Sequence, residues 1–219
     1  MKKRILALCA FFLLVISTSS YAGSASIAGK VSTLGLGGEV EMAITETIGI
    51  RTGFNYYTYS FSATEGAINY DFDLNLSSVP IFVDYHPFKS GFRLTGGAIY
   101  NSNNFEASAN YSGTIDIGGT IYTAAEVGTL TADVDFSSFA PYAGLGWDTT
   151  FGDDGGFGFS FDLGAMFQGS PEASFTTTGA LSADPGFLAD LATEEQELQD
   201  ALDSFTIYPV VSVGINYRF

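Results

Sequence analysis

Apolar and polar residues alternate almost strictly over the last fifteen positions of the chain, FTIYPVVSVGINYRF. The odd positions from Phe205 to Phe219 are apolar or aromatic, whereas the even positions include Thr206, Ser212 and Arg218. Successive side chains of a β-strand point to opposite faces of its sheet, so the pattern predicts a strand with one apolar and one polar face. At roughly 3.3 Å per residue, such a strand is long enough to cross a lipid bilayer.

The same period of two recurs in six more segments of the chain. They are residues 34–44, 48–57, 79–86, 92–101, 139–148 and 157–168. Several exceed the length of about five or six residues that is usual for strands of globular proteins. Their second faces carry glycines and isolated charges, which suit a narrow enclosed interior better than a solvated sheet. A closed sheet of eight strands needs one further strand, and SASIAGKVS at residues 24–32 is the candidate.

The amino terminus has the pattern of a secretory signal peptide. Three basic residues at positions 2–4 precede an apolar run of 12 residues, and small and polar residues follow up to Ala22. The run is too short for a transmembrane helix, which needs roughly 20 residues. We therefore expect cleavage after Ala22, leaving residues 23–219 as one domain. Cleavage also removes Cys9, the only cysteine, so no disulfide is expected.

Few charges and many aromatic rings leave the chain with a large apolar surface to cover. Charged residues make up only 15% of the sequence and aromatic residues another 15%, whereas an average soluble domain is about 25% charged. After residue 22 the sequence has no apolar run of the length of a membrane-spanning helix. Since only helices and closed barrels can span a bilayer, the composition favours a closed barrel. A secreted β-sandwich, whose apolar faces would meet in a core, is the alternative.

The charge of the chain restricts its partners. The formal charge is −16 at pH 7, and loss of the three amino-terminal bases would leave 24 acidic and five basic residues, a charge of −19. Nucleic acid and anionic membrane surfaces are poor partners for such a chain. Nothing in the residue pattern predicts a metal site or a cofactor.

The end of the chain resembles the carboxyl-terminal signature of bacterial outer-membrane β-barrel proteins. In that group a terminal Phe, with apolar residues at every second position before it, is read by the outer-membrane assembly machinery. The residues that occupy these positions are Val213, Ile215, Tyr217 and Phe219. The size and layout of residues 23–219 are also similar to the small barrels of the OmpA-like, OmpX-like and OmpW-like group.

The resemblance implies a fold and a location. The fold would be all-β, a closed antiparallel transmembrane barrel of eight strands, and the location would be the cell outer membrane, in contact with its lipids and with lipopolysaccharide. Aromatic residues near predicted strand ends are then candidates for the girdles at the two membrane interfaces. These residues are Tyr56, Tyr85, Tyr100, Trp147 and Tyr217.

The connections between the predicted strands fall into two groups. Short ones lie at residues 45–47, 87–91 and 151–156, and longer ones lie at 62–68, 106–134 and 169–204. In outer-membrane barrels the short turns face the periplasm and the long loops face outward. The second long connection contains YSGTIDIGGTIYT, which we interpret as a hairpin that extends two strands beyond the membrane.

The third long connection predicts one amphipathic helix before the last strand. Asp184 is the expected N-cap, and Pro185 would occupy the first helical position. The apolar residues expected on one face are Leu188, Leu191, Leu198, Leu202 and Phe205, and acidic residues crowd the remaining surface. We expect the apolar face to pack on the barrel mouth, with a role as a plug or a partner-binding element as the alternative.

The predicted inner faces of the strands carry seven charged residues. They are Glu39, Glu41, Arg51, Asp84, Arg93, Asp162 and Arg218. Charges inside a narrow barrel are costly unless they are paired, so we expect a lumenal network that fixes a filled interior. A polar path for a small solute is the competing interpretation.

The sequence predicts no enzyme. His86 is the only histidine, and no serine lies in a nucleophile motif, so a structural role for His86 is favoured over catalysis. Two functions remain open. The first is a structural or surface-interaction protein with a filled, narrow lumen that acts through its outer loops. The second, implied by the OmpW-like resemblance, is a narrow porin-like channel for small or apolar solutes.

Overall fold

The computed structural model describes residues 25–65, 68–152 and 155–219 of the chain. The signal peptide predicted for residues 1–22 lies outside the described residues. Thirteen strands and two helices form within them. Their bounds are β1 Ala25–Ser32, β2 Gly35–Ala43, β3 Ile48–Glu65, β4 Ile68–Tyr85, β5 Phe92–Asn101, β6 Asn104–Tyr111, β7 Thr114–Ile117, β8 Thr120–Thr123, α1 Ala124–Val127, β9 Leu130–Asp135, β10 Phe139–Asp148, β11 Gly156–Phe167, β12 Glu172–Thr177, α2 Pro185–Leu202 and β13 Ile207–Arg218.

Eight of the strands form a closed antiparallel ring. Its order is β1, β2, β3, β4, β5, β10, β11 and β13, and β13 pairs with β1. The strand predicted at residues 24–32 is confirmed as β1, in which Val31 lies opposite Leu36 on one side and Val213 on the other. This single short strand closes the ring.

The alternation in the sequence is preserved around the ring. In β13 the odd positions from Ile207 to Ile215 are exposed on the outside, whereas Ser212, Asn216 and Arg218 are buried inside. The other ring strands expose large apolar side chains in the same way. The ring is therefore apolar outside and buries its charged side chains inside, the reverse of a soluble domain.

Beyond the ring, the wall continues on one side as a five-stranded sheet. Strands β3 and β4 each have 18 residues and extend beyond the end of β2. Strand β2 pairs with β3 only as far as Tyr56. The projecting parts, residues 57–65 and 68–77, continue into β6, β9 and β12 in that order. We call this the extension sheet. The sequence analysis did not predict β6, β9 or β12.

The predicted hairpin at residues 111–123 is present, but it is not part of the ring strands. Strands β7 and β8 form a separate two-stranded sheet, so the interpretation of this hairpin as an extension of two ring strands is wrong. Short helix α1 follows it, with a capping box between Thr123 and Glu126. The sequence analysis did not predict this four-residue helix.

The two ends of the ring differ in their connections. Ala25, Phe219 and the turns at 44–47 and 86–91 lie at one end, the short-turn end. The extension sheet, the two helices and the β7–β8 hairpin lie at the other, with the two-residue turn between β1 and β2. The predicted short and long connections therefore lie at opposite ends, but β3 extends to Glu65 and β4 begins at Ile68, so the predicted long connection at 62–68 is mostly strand.

Helix α2 begins as predicted and buries part of the predicted face, since Leu191 is buried and Leu198 and Leu202 are half-buried. The Asp184 side chain accepts hydrogen bonds from the backbone N–H groups of Gly186 and Phe187 at 2.9 and 3.0 Å. The helix packs on β12 and the β7–β8 hairpin through Phe187 and Leu191, while Leu188 is exposed. The expected packing on the barrel mouth is corrected to packing on β12 and the β7–β8 hairpin, to which Leu191 of the predicted face contributes.

No helix in the described ranges is both long and apolar enough to span a membrane.

Candidate functional site

The interior of the ring holds a dense ionic network. All seven charged residues predicted for the inner faces are buried there, and two further charges, Lys30 and Asp148, join them. The network thus combines four basic and five acidic side chains, and each of the eight ring strands supplies at least one of them.

Asp162 of β11 is the centre of the network. Its carboxylate accepts from Lys30 Nζ and Arg93 Nη2, both at 2.7 Å, and from Arg51 Nη1 at 3.2 Å. The Ser212 hydroxyl donates a further hydrogen bond at 2.9 Å. One carboxylate therefore connects strands β1, β3, β5 and β13 across the lumen.

Arg51 of β3 extends this layer toward β2 and β4. Its Nε and Nη2 atoms donate to the two carboxylate oxygens of Asp84 at 2.8 and 3.2 Å, and Nη1 reaches Glu39 at 3.1 Å. The guanidinium also lies 5.1 Å from the ring centroid of Phe82. Bidentate pairing of this kind fixes the orientation of both partners as well as their charge.

A looser layer lies nearer the short-turn end. Glu41 is 3.5 Å from Arg218 Nη2 and 3.9 Å from Arg93 Nη1, and Asp148 is 3.8 Å from Arg93. Asp148 is held by closer contacts, since it accepts from the Thr150 N–H at 2.7 Å and from Asn216 Nδ2 at 2.6 Å.

Glycine on the inner faces leaves space for these charges. A Cβ atom on Gly146 of β10 would lie 2.6 Å from Asp162 Oδ1 and 2.9 Å from Arg93 Nε. Any side chain at this position would displace the ion pair. The glycines that marked these faces in the sequence are therefore part of the ionic site.

Lys30 and Asp148 were missed in the sequence for different reasons. Lys30 belongs to β1, whose alternation is weak because Gly29 interrupts the apolar face. Asp148 is the last residue of its strand, and an Asp at a strand end is typical of a turn. The alternation of β10 does put Asp148 on the face of Ala140 and Tyr142, and that signal could have found it.

His86 and Phe151 lie together at the short-turn end of the lumen. Their rings are stacked with centroids 3.3 Å apart, and both side chains are buried. His86 Nδ1 is 2.8 Å from the carbonyl oxygen of Ser90, and Nε2 has no hydrogen-bond partner among the described residues. Burial lowers the pKa of His86 below its ordinary value, which favours the neutral ring.

An apolar layer lies at the opposite end of the lumen. It consists of Leu34, Phe82, Ile99, Ala140, Tyr142, Met166 and Val210. A cavity of about 30 Å³ lies between this layer and the ionic network, lined by Lys30 and Asp162 on the polar side. A buried water needs roughly 10–15 Å³ of such space, so the cavity has room for about two.

The outer surface of the ring carries the residues predicted for assembly and for the girdles. Val213, Ile215, Tyr217 and Phe219 all point outward on the last strand. The five aromatic residues are also exposed and fall into two groups. Tyr85, Trp147 and Tyr217 lie toward the short-turn end, and Tyr56 and Tyr100 lie toward the extension sheet.

No group of three or more His, Cys, Asp or Glu side chains in residues 25–65, 68–152 and 155–219 is placed to hold a metal ion. The lumenal carboxylates are instead bound by Lys and Arg. What the arrangement provides is a set of fixed charges that tie the strands together across the lumen.

Eight antiparallel strands that close on themselves around an ionic interior, with an apolar outer surface, define the fold of an outer-membrane β-barrel. Two crystal structures from Acinetobacter baumannii share this fold. CarO2 matches with a TM-score of 0.59 and 20% identity, and CarO matches with a TM-score of 0.57 and 19% identity. In each case the match covers 90% of this chain and 98% of the other. The sequence matches no protein-family model and no curated protein.

Proposed function

We propose that the chain spans the cell outer membrane as an eight-stranded β-barrel and acts through the extension sheet on its outer side. The observation that carries the proposal is the reversal of polarity across the wall of the ring. Charged side chains such as Arg51 and Asp162 are buried inside, while Ile81, Phe159 and Ile215 are exposed outside. An exterior of this kind is stable in contact with hydrocarbon and unstable in contact with water.

The proposed membrane position follows from strand length and from the girdles. Ring strands of 8 to 12 residues, with the ring portions of β3 and β4, match the roughly 9–11 residues that cross an outer membrane. The short-turn end would face the periplasm and the extension sheet would face outward. Membrane lipids and lipopolysaccharide would contact the ring, and the assembly machinery would read Val213, Ile215, Tyr217 and Phe219.

The lumen is proposed to be closed, with a structural role for its charges. Three features support closure: the apolar layer at one end, the ionic network in the middle, and the stacked His86 and Phe151 at the other end. An eight-stranded barrel has an interior that side chains can just fill. In this proposal the protein has no catalytic residue and needs no cofactor.

A narrow channel for small or apolar solutes is the second candidate. The observation in its favour is the cavity of about 30 Å³, whose lining is polar on one side and apolar on the other. A solute moving through it would have to displace either the Asp162 ion pairs or the apolar layer.

Single-channel recording on refolded residues 23–219 in a planar bilayer tests the proposal. Folding is monitored by the heat-dependent gel shift of folded barrels. We expect a shifted band with no steady conductance, both in the full domain and after deletion of residues 184–203, because α2 lies on the extension sheet and not in the lumen. Steady conductance of the folded full domain would overturn the closed lumen and favour the channel.

A further inference from the structure

The extension sheet has one continuous apolar face. On β3, Tyr57 and Phe61 lie opposite Leu76 and Phe72 of β4, and Phe72 lies opposite Ala107 of β6. This face continues the series of inward-facing positions that includes Arg51 and Asn55 in the ring. It is therefore turned toward the space above the lumen, where membrane lipid does not reach.

One part of this face is already covered by the chain itself, by α2 together with the β7–β8 hairpin and α1. Leu130 of β9 and Phe175 of β12 pack in one cluster with Phe187 and Leu191 of α2. Tyr122 of the β7–β8 hairpin meets Phe187 edge-on, with ring centroids 4.9 Å apart. The sheet thus binds an amphipathic helix through aromatic and aliphatic contacts.

The other part of the face is open. Tyr57, Tyr59 and Phe61 are 41%, 52% and 46% exposed. Together with Phe72 and Phe105 they form a ladder of neighbouring rings, with consecutive centroids 6.5, 5.8, 4.7 and 6.1 Å apart. The strands β3, β4 and β6 beneath this ladder span about 10 Å, which is the packing width of one helix.

Charge restricts what can cover the ladder. Residues 52–85 and 94–217, which include the whole extension sheet and both helices, contain no Lys, Arg or His. Carboxylates face one another on the back of the sheet, where Asp73 lies opposite Glu106 and Glu106 opposite Asp133. A second copy of this chain would bring only like charge, so a basic partner is favoured.

We infer that the open ladder binds an amphipathic helix with a basic polar face, supplied by another polypeptide and lying beside α2. Its apolar side chains contact Tyr59, Phe61 and Phe72, and its Lys or Arg side chains face the acidic residues of α2 and the faces of the rings. This inference rests on the proposed function, because it requires the extension sheet to face outward.

The test uses the folded domain in nanodiscs of zwitterionic lipid, with empty nanodiscs as the reference. The probe is a fluorescent 18-residue peptide of Leu and Lys arranged with helical periodicity. There are two comparison peptides. The first has the same composition with Leu and Lys in strict alternation, and the second has Glu in place of every Lys. The variant is Tyr59→Ser with Phe61→Ser, and Phe88→Ser at the short-turn end is the matched control, since Phe88 is also exposed.

We expect saturable binding of the helical Lys peptide that weakens at least tenfold in the double variant and stays unchanged in Phe88→Ser. Equal binding to wild type and double variant would overturn the inference in favour of general charge attraction. Tighter binding of the alternating peptide would also overturn it, in favour of strand addition at the β3 edge, which β2 leaves unpaired after Tyr56. Conductance of the same protein preparation in a planar bilayer separates this inference from the closed lumen, because a silent barrel that binds no peptide refutes only the helix site.

Discussion

Asp162 is the residue on which the lumenal network depends most directly. Three basic side chains and one hydroxyl donate to its carboxylate. Removing one partner of a buried ion pair leaves the others without compensation and costs roughly 3–5 kcal/mol. The same reasoning does not apply to acids on the extension sheet, which make no ion pair with any described residue.

We predict that Asp162→Asn lowers the free energy of unfolding by about 3 kcal/mol or more, because Lys30, Arg51 and Arg93 lose their shared counter-ion. Urea unfolding in lipid vesicles, followed by the fluorescence of Trp147, measures the change. Asp133→Asn on the extension sheet is the control and should have little effect. A loss below about 1 kcal/mol for Asp162→Asn would contradict the central role of this carboxylate.

His86 gives the barrel a pH dependence whose sign can be stated. Burial lowers the pKa of the folded-state ring below its ordinary value of 6.5, and the hydrogen bond with Ser90 and the charges of Asp84, Arg93 and Asp148 have smaller effects. The unfolded chain therefore binds more protons below pH 6.5, and the contribution of neutral His86 is fully present above that pH. It is lost as the pH falls from 6.5 toward the lowered pKa, at no more than about 1.4 kcal/mol per pH unit.

The variant His86→Asn should lose this pH dependence, because its amide can still donate to the Ser90 carbonyl but does not titrate. Stability measured at pH 5 and at pH 7.5 should differ less in the variant than in the wild type. Identical pH profiles for the two proteins would show that His86 is not the group responsible.

At the scale of elements, α2 protects the edge of the extension sheet. Strand β12 pairs with β9 on one side only. On its other side, the Phe175 N–H donates to Glu195 Oε2 and the Ala173 N–H donates to Gln199 Oε1, both at 3.0 Å. An uncovered strand edge invites pairing with other chains, and helix side chains block it here.

We predict that replacing Glu195 and Gln199 with Ala speeds amide hydrogen exchange at Ala173 and Phe175, because both N–H groups lose their acceptors. Exchange measured by NMR or mass spectrometry reports this locally. Glu197→Ala, on the exposed side of the same helix, is the control and should leave the exchange of β12 unchanged. Unchanged protection in the double variant would mean that α2 shields β12 by packing alone.

At the scale of the whole molecule, the apolar exterior of the ring is the surface that the proposed membrane would cover. Val213 lies near the middle of β13, between Val31 and Phe161 on the outer surface. An Arg on the lipid face near the bilayer midplane costs roughly 2–4 kcal/mol in such barrels.

Val213→Arg should therefore reduce folding stability in lipid vesicles by about that amount. Thr58→Arg, on the polar face of the extension sheet, should cause no comparable loss, because that position lies outside the proposed membrane. Equal effects of the two substitutions would contradict the proposed position of the bilayer.

The sequence by itself determined which side of each ring strand is apolar. Side chains alternate with a period of two regardless of what a strand pairs with, so the inner positions of Arg51, Arg93 and Asp162 could be assigned from spacing alone. The N-cap at Asp184 could also be predicted from the sequence, because capping depends only on the residues that directly follow it. The long connections at 106–134 and 169–204 could be told from the short turns by their length in the sequence.

Tertiary structure alone decided how these elements meet. The contacts of Lys30 with Asp162 join residues 132 positions apart, and only ring closure by β1 brings them together. Strands β6, β9 and β12 exist because β4 projects beyond the ring and offers an edge to pair with. Helix α2 buries Phe187 and leaves Leu188 exposed because the extension sheet, which no local pattern predicts, is the surface it packs on.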